Sequence, residues 1–304
     1  MRASKGKITT MKKMIFITAA ALICSGLMFT SCKKKEVEDN DTEGAADHAL
    51  GETYSNDITN IGTQASYGSM TTYRNGAPDI ILSGCATITF DSLGSADPDT
   101  MTVDFGTGCN GLDGRTRKGM IRYTYNHGMH YRDSGNVITV ATPGNTYYVD
   151  GNQVIINSKT ITNKGHDITT GYLTWSISSN ITVNRSNGNV LTWSANKTRM
   201  LLAGEMPNNQ PVDWPHAKLA VYGSGSGTHT KSGGSSQSFT FNVQQAKWLV
   251  RDFTCSAMRR FFVAGTLEFT PGSKPTRYVD FGTGNCDNAA TVTINGHVYN
   301  IYLH

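Results

Sequence analysis

Alternating polar and apolar positions dominate the chain after residue 80 and predict a protein built mainly of β-strands. β-Branched and aromatic residues alternate in part with polar ones there, and a period of two is that of a strand with one buried face. Short connections such as Asp150-Gly151, Asn187-Gly188 and Asn295-Gly296 favour hairpins, and therefore antiparallel pairing in a meander or sandwich. About twelve strands are predicted: 80–90, 101–105, 119–125, 137–141, 154–162, 173–183, 190–202, 218–222, 238–250, 261–270, 276–281 and 290–303.

A single helix is predicted ahead of the strands, over about residues 45–64. Apolar side chains recur there at spacings of three and four residues, which places them on one helical face: Ala46, Leu50, Tyr54, Ile58, Ile61 and Ala65. We expect this face to pack against the sheet that follows. The predicted fold class is therefore all-β, with one N-terminal helix.

One stretch interrupts the alternation. Residues 223–238 (GSGSGTHTKSGGSSQS) are rich in glycine and serine and predict a flexible polar loop. An alternative is that the folded body, 45–304, consists of two related sub-sheets, about 45–215 and 216–304, with this stretch as an insertion between them.

The start of the chain has the pattern of an export signal. Lys12 and Lys13 precede an apolar stretch, 14–28, which is shorter than the about 20 residues of a membrane-spanning helix but matches the core of a signal peptide. Ser31 and Cys32 follow, as at the lipidation site of bacterial lipoproteins. We predict a signal peptide over 1–31 and a lipid anchor on Cys32. The alternative is an ordinary signal peptide followed by a chance cysteine.

Residues 32–44 predict a disordered tether between the anchor and the folded body. The lysines at 33–35 are expected beside lipid headgroups, and the acidic residues that follow are too polar to bury. Residues 1–31 hold five of the 27 basic residues and none of the 23 acidic ones, so their removal leaves a nearly neutral chain. The predicted partner is therefore the membrane, through Cys32, and nucleic-acid binding is not expected.

A hexapeptide, Val-Asp-Phe-Gly-Thr-Gly, occurs twice, at 103–108 and at 279–284. Cys109 follows the first copy directly, and Cys286 follows the second copy after one residue. Each copy also comes after a strand and a turn that contains proline. Because both the motif and its surroundings repeat, we predict two related hairpins.

Four cysteines remain in the body, and an exported protein is expected to pair them as disulfides. Cys85 and Cys109 lie symmetrically about one predicted hairpin turn, and Cys255 and Cys286 about the other. Such positions bring Cα atoms within the distance that a disulfide requires, so we predict Cys85–Cys109 and Cys255–Cys286. A zinc site is the alternative, but the sequence contains no closely spaced pair such as C-x2-C.

The repeated aspartates, Asp104 and Asp280, are candidate metal ligands. Carboxylates and carbonyls of a glycine-rich loop suit calcium, although the spacing differs from that of an EF-hand. Glycines that permit a positive φ explain the motif without a metal, and we favour this interpretation. No cofactor is therefore expected, with calcium as the alternative.

Three tryptophans are candidates for binding. Trp175 and Trp193 occupy matching Leu-Thr-Trp-Ser tetrads, so they belong either to the core, which we favour, or to a platform that stacks on sugars. Trp214 lies in a predicted loop, where an exposed ring would suit ligand binding. Motifs of known catalytic sites, including G-x-S-x-G, H-E-x-x-H and the P-loop, do not occur in the sequence.

The signal, the acidic tether and the two VDFGTG hairpins with their cysteines resemble a group of uncharacterised lipoproteins of Bacteroidota-type bacteria. The resemblance covers nearly the whole mature chain and implies an outer-membrane location, periplasmic or cell-surface facing, with an all-β body. It transfers no catalytic residues. We expect a lipid-anchored envelope protein with a structural or ligand-binding role; the alternative is a glycan-directed hydrolase or glycan-binding protein at the cell surface.

Overall fold

The computed structural model describes residues 43–66, 81–91, 99–207, 212–255 and 261–303. Signal segment 1–31, Cys32 and nearly all of the predicted tether lie outside these ranges. The described part contains one α-helix, α1 (Glu43–Ala65), and three single-turn 3-10 helices at Pro143–Asn145, Trp214–His216 and Gln245–Lys247. Its strands are β1 (Thr87–Asp91), β2 (Asp99–Asp104), β3 (Cys109–Asn110), β4 (Thr116–Lys118), β5 (Met120–Tyr125), β6 (Val137–Ala141), β7 (Tyr148–Val149), β8 (Asn152–His166), β9 (Leu173–Asn184), β10 (Val190–Ala203), β11 (Lys218–Thr230), β12 (Ser236–Val243), β13 (Leu249–Asp252), β14 (Ala264–Pro271), β15 (Arg277–Thr283), β16 (Ala289–Ile294) and β17 (His297–Tyr302).

All of these strands belong to one antiparallel sheet, which confirms the predicted all-β class. Strands β8 to β11 pair in sequence order as a meander, and β14 to β17 do the same. Strands β12 and β13 both pair with β11, and β1 and β2 join the sheet through β5. The described strands number 17 rather than about twelve, partly because the predicted strand 238–250 is broken by the 3-10 turn Gln245–Lys247.

The prediction of a flexible loop over 223–238 is wrong. Residues 218–230 form β11, a short turn follows, and 236–243 form β12. Glycine and hydroxyl residues alternate along β11, so the stretch has the period of a strand despite its composition. The glycine positions face the core, where a Cβ on Gly225 would overlap the ring of Phe241 and one on Gly227 the ring of Phe239.

The sheet is continuous across residues 215 and 216, where the two suggested sub-sheets would meet. Strands β10 and β11 flank that boundary and pair from Val190↔Thr230 to Ala203↔Lys218, with one irregularity near Ala203. Residues on both sides of the boundary therefore belong to one sheet.

Helix α1 begins at Glu43 and ends at Ala65, close to the predicted bounds of 45–64, but it is buried on more than one face. The expected apolar stripe is covered, with Ile58 and Ile61 at 0% exposure. Polar residues between those positions are covered as well, including Glu52 at 2% and Asn60 at 1%. The partners of α1 come from strands β4 to β14, so the meander curves around the helix instead of packing on one side of it.

Two helical glycines permit the close approach of strands to α1. A Cβ on Gly51 would lie 2.6 Å from Cγ of Trp193, and one on Gly62 would lie 2.5 Å from Cε1 of Tyr123. The Tyr123 hydroxyl donates to the carbonyl of Ile58 at 2.6 Å. Glycine weakens a helix interior by about 1 kcal/mol relative to alanine, and here it makes room for an aromatic ring.

Both predicted disulfides are confirmed. Cys85 bonds Cys109 with a Cα–Cα distance of 5.6 Å, and Cys255 bonds Cys286 at 5.2 Å. The first bond closes the β1–β2 hairpin, in which Thr87 pairs with Asp104. The second lies beyond the open end of the β14–β15 hairpin, whose turn falls at 272–276.

Candidate functional site

Polar side chains of α1 meet polar side chains of the surrounding strands in what we call the interior network. Its members are Glu52 with Lys197, Ser55 with Lys159 and Ser179, Asp57 with Arg117 and Asp113, and Asn60 with Arg199. Charged groups that are fully buried require partners, and this network provides them at successive turns of the helix. No local pattern predicts this network, because its partners for α1 are far from the helix along the chain.

Arg117 lies between two carboxylates. Its Nε and Nη2 donate to the two oxygens of Asp57 at 3.1 and 2.7 Å, and Nη1 and Nη2 donate to Asp113 at 2.9 and 2.6 Å. Burial by itself lowers the pKa of Arg117, but the charge of Asp57 and the hydrogen bonds of Asp113 outweigh it, and the pKa is raised overall. Bidentate pairing of this kind fixes the orientation of the guanidinium as well as its charge.

Lys197 pairs with Glu52 in a site without solvent access. The ammonium also lies 4.5 Å from the ring centroid of Trp193 and 5.5 Å from that of Phe241. Burial lowers the pKa of Lys197 well below its ordinary value. The carboxylate and the two aromatic faces offset only part of the hydration that the ammonium loses on burial.

Lys159 lies between two serine hydroxyls. Its Nζ donates to Ser55 Oγ at 2.9 Å and to Ser179 Oγ at 2.8 Å, and the two hydroxyls are 3.1 Å apart. Burial, with a smaller contribution from the charge of Arg199, lowers the pKa of Lys159 to about 7. A serine beside a lysine of lowered pKa has the chemistry of a nucleophile and its base. All three residues are at most 3% exposed, however, so this group contributes to the interior and presents no reactive atom to a substrate.

A groove of about 610 Å³ lies on the outer face of the C-terminal strands, and we call it the C-terminal groove. Strands β14 to β17 form its floor, with the turn after β15 at one side. Nine residues with polar side chains line it: Lys247, Thr266, Asp280, Thr283, Asn285, Asp287, Thr291, Asn300 and Tyr302. Tyr302 is 65% exposed, so an aromatic ring borders a surface of carboxylates, amides, hydroxyls and one ammonium group.

Asp280, one of the predicted metal candidates, lines this groove and also accepts a hydrogen bond from the backbone of its own strand. Its Oδ1 accepts the N–H of Gly282 at 2.8 Å, and Asp104 Oδ1 accepts the N–H of Gly106 at the same distance. Gly106 and Gly282 both have positive φ, at 58° and 82°. The repeated hexapeptide therefore encodes the same aspartate-to-glycine hydrogen bond twice, once in the turn after β2 and once in β15 where its pairing with β14 is irregular. Within the described ranges, no three His, Cys, Asp or Glu side chains are grouped as metal ligands.

A second and smaller groove, of about 360 Å³, lies on the outer face of β9 to β14. Hydroxyl and amide side chains dominate its lining, including Thr192, Ser194, Ser226 and Thr240, and none of its lining residues is charged. This part of the sheet exterior offers neutral hydrogen-bonding groups only.

The predicted exposure of Trp214 is wrong. The ring is 3% exposed and packs edge-on against Phe253, with centroids 5.3 Å apart. Pro215 and His216 continue a 3-10 turn that folds the tryptophan inward, so it cannot present its ring to a ligand. Trp175 and Trp193 are buried at 3% and 1%, as expected for the favoured core placement.

Comparison of the chain with models of known protein families, with curated protein sequences and with solved structures gave no match. In the described part of the chain, no helix has the length and apolar character needed to cross a membrane.

Proposed function

We propose that the protein is exported, anchored to the outer membrane through lipid on Cys32, and binds a ligand in the C-terminal groove. A signal-like stretch that ends at Cys32 supports the anchor. Two disulfides in the body support an oxidising compartment, because such bonds rarely persist in the bacterial cytoplasm. The interior network is assigned a structural role.

A glycan is the ligand class that the groove suits best, and the exposed ring of Tyr302 beside polar oxygens is the observation that carries this proposal. Sugars present apolar C–H faces that stack on aromatic rings, while their hydroxyls bond with carboxylates and amides. Asp280, Asp287 and Asn300 supply such groups next to Tyr302.

The anchor is tested by mass spectrometry of the mature protein from membranes of an expressing bacterium. We expect Cys32 to be the first residue and to carry acyl chains. Retention of residues before Cys32, or an unmodified thiol, would contradict the proposed anchor.

Ligand binding is tested with a glycan array followed by titration of any glycan retained. We expect Tyr302→Ala to weaken binding about tenfold, as for an aromatic residue that is central to a contact. Tyr278→Ala is the matched control, since Tyr278 is 48% exposed on the same sheet but does not line the groove. Equal losses for both variants, or no retained glycan, would count against the groove.

A hydrolase acting on glycans is the second candidate, since both Asp280 and Asp287 line the groove. Paired carboxylates are the common catalytic groups of glycoside hydrolysis. The assay is release of reducing sugar from the glycan. Release by the unaltered protein that both Asp280→Asn and Asp287→Asn abolish would favour hydrolysis. Binding without turnover would favour a binding protein.

A further inference from the structure

Strand β17 forms one edge of the sheet. It pairs with β16 from Ala289↔Tyr302 to Ile294↔His297, and it has no second neighbour among the described strands. The register is unbroken, so the edge is regular over all six residues of the strand. Natural edge strands are usually protected by a lysine, a proline or a bulge, because exposed backbone groups recruit other strands. Strand β17 has none of these three devices.

The backbone of β17 directs hydrogen-bonding groups away from β16. The turn at 295–296 has two residues, both with positive φ, so the flanking pair Ile294–His297 exchanges both backbone bonds. Such bonded pairs alternate along an antiparallel ladder. Every second residue of β17, counted from His297, therefore bonds with β16. The residues between them direct their N–H and C=O groups to the open edge: Val298, Asn300 and Tyr302.

Apolar side chains are exposed beside this edge. Val298 is 64% exposed and Tyr302 is 65% exposed. Tyr278 of β15 is 48% exposed and lies in the same cross-strand row as Val298, with Thr293 between them. Residues 288–304 contain no aspartate, glutamate, lysine or arginine. The last hairpin thus combines open backbone groups with apolar side chains and no acidic or strongly basic group.

The sequence of β17 is complementary to itself when two copies run antiparallel about Asn300. In that register Asn300 lies opposite Asn300 of the second copy, and Val298 lies opposite Tyr302 of the second copy. Every residue that directs backbone groups to the edge is then paired, and each such pair exchanges both bonds. An aromatic residue opposite a β-branched one is a favourable cross-strand pair, and two-fold symmetry makes this contact twice.

We infer that two copies of the chain join through β17, so that the sheet continues from one copy into the other. The uncharged edge favours a second copy as the partner, because two identical strands with a charge at the centre would repel each other across the two-fold axis. Closed two-fold dimers are also the commonest assemblies of identical chains. The contact requires neither lipid on Cys32 nor a bound glycan.

The dimer would also extend the C-terminal groove. Side chains that lie opposite each other in a sheet point to the same face. Val298 of the second copy would therefore border the groove beside Tyr302, which is one of its lining residues. The two grooves would open on the same side of the joined sheet, next to the two-fold axis.

The rival partner for β17 is β1, the strand at the other edge of the described sheet. Pairing of β17 with β1 of a second copy would leave a free edge at each end of the pair. Such a contact does not close, so it would build an open chain of copies instead of a dimer. Cross-linking distinguishes the two arrangements.

The test is disulfide formation between copies of the full chain in membranes of an expressing bacterium. Asn300→Cys places two thiols across the two-fold axis, where Cα atoms about 5.5 Å apart are within reach of a disulfide. Thr293→Cys is the matched control, because it lies on the same face of β16 and its two copies would be roughly 20 Å apart. On mild oxidation we expect a covalent dimer of Asn300→Cys, and none of Thr293→Cys or of the unaltered chain.

A second measurement is sedimentation of the full chain in detergent, which gives the dissociation constant of the dimer. Val298→Lys should weaken association about tenfold, because it removes both contacts with Tyr302 and each such pair accounts for about threefold. Thr293→Lys adds the same charge one strand away from the edge and should leave the constant unchanged.

Three results would overturn the inference. The first is the absence of a covalent dimer of Asn300→Cys, or an equal yield for Thr293→Cys. The second is an equal effect of the two lysine variants on the dissociation constant. The third is a covalent product that forms only when Asn300→Cys is mixed with Thr89→Cys, since Thr89 belongs to β1 and this product would assign the contact to the rival edge.

Discussion

Removing one carboxylate from the interior network tests whether α1 is held by its charges. Asp57→Asn keeps the shape of the side chain but leaves Arg117 with Asp113 as its only charged partner within the network. The guanidinium side chain is 0% exposed, so solvent cannot replace the lost charge. Breaking a buried pair typically costs 3–5 kcal/mol. Because Asp113 remains, we expect a loss of about 3 kcal/mol in the free energy of unfolding.

Asp113→Asn is the matched control, since it removes the other carboxylate of the same arginine. The side chain of Asp113 is 14% exposed against 7% for Asp57, and it lies four residues from Arg117 on the same segment. We expect a loss of about 1 kcal/mol, because partial solvation and local geometry soften the effect. In the double variant Asp57→Asn with Arg117→Met, the cost should be well below the sum of the single costs.

Urea unfolding followed by tryptophan fluorescence measures these differences, because Trp175 and Trp193 are both buried in the folded state. Disulfides must stay oxidised so that only the network changes. Equal losses for Asp57→Asn and Asp113→Asn, or a loss below about 1 kcal/mol for the former, would show that the pair at Asp57 does not hold the helix.

Three further outcomes are expected. The pKa of Lys159 is lowered to about 7, below its unfolded value. The unfolded chain therefore binds more protons between about pH 7 and pH 10, and the free energy of unfolding should rise with pH across that window. Lys159→Met should reduce this rise by up to about 1.4 kcal/mol per pH unit in urea unfolding at several pH values, while buried Lys197 keeps its own contribution. Gly51→Ala should lower the melting temperature despite its better helix propensity, because overpacking against Trp193 costs about 1–3 kcal/mol, whereas Gly108→Ala, in open space, should not. Cys255→Ser with Cys286→Ser should cost about 3–4 kcal/mol of unfolding free energy, and an unchanged urea midpoint would contradict it.

The alternation of side chains along the chain was enough to predict an antiparallel all-β body, one helix and most of the strands. Period-two patterns and turn dipeptides are local properties, so they are readable without knowledge of the rest of the fold. The cysteine pairing was readable too, because symmetry about a hairpin turn fixes which positions lie opposite each other. The prediction for 223–238 was wrong because its glycine and serine content suggested a flexible loop. The glycines instead make room for the rings of Phe239 and Phe241.

What the sequence determined by itself is the class of fold and its cross-links. The export signal that ends at Cys32 stays a prediction. Only the tertiary structure decided that the sheet curves around α1, because the helix residues of the interior network find their partners on the strands 60 to 145 positions away. The same holds for the burial of Trp214 and for the grouping of Asp280 with Asn300 and Tyr302 in one groove. Contacts between distant segments depend on strand order and register, and no local pattern encodes these.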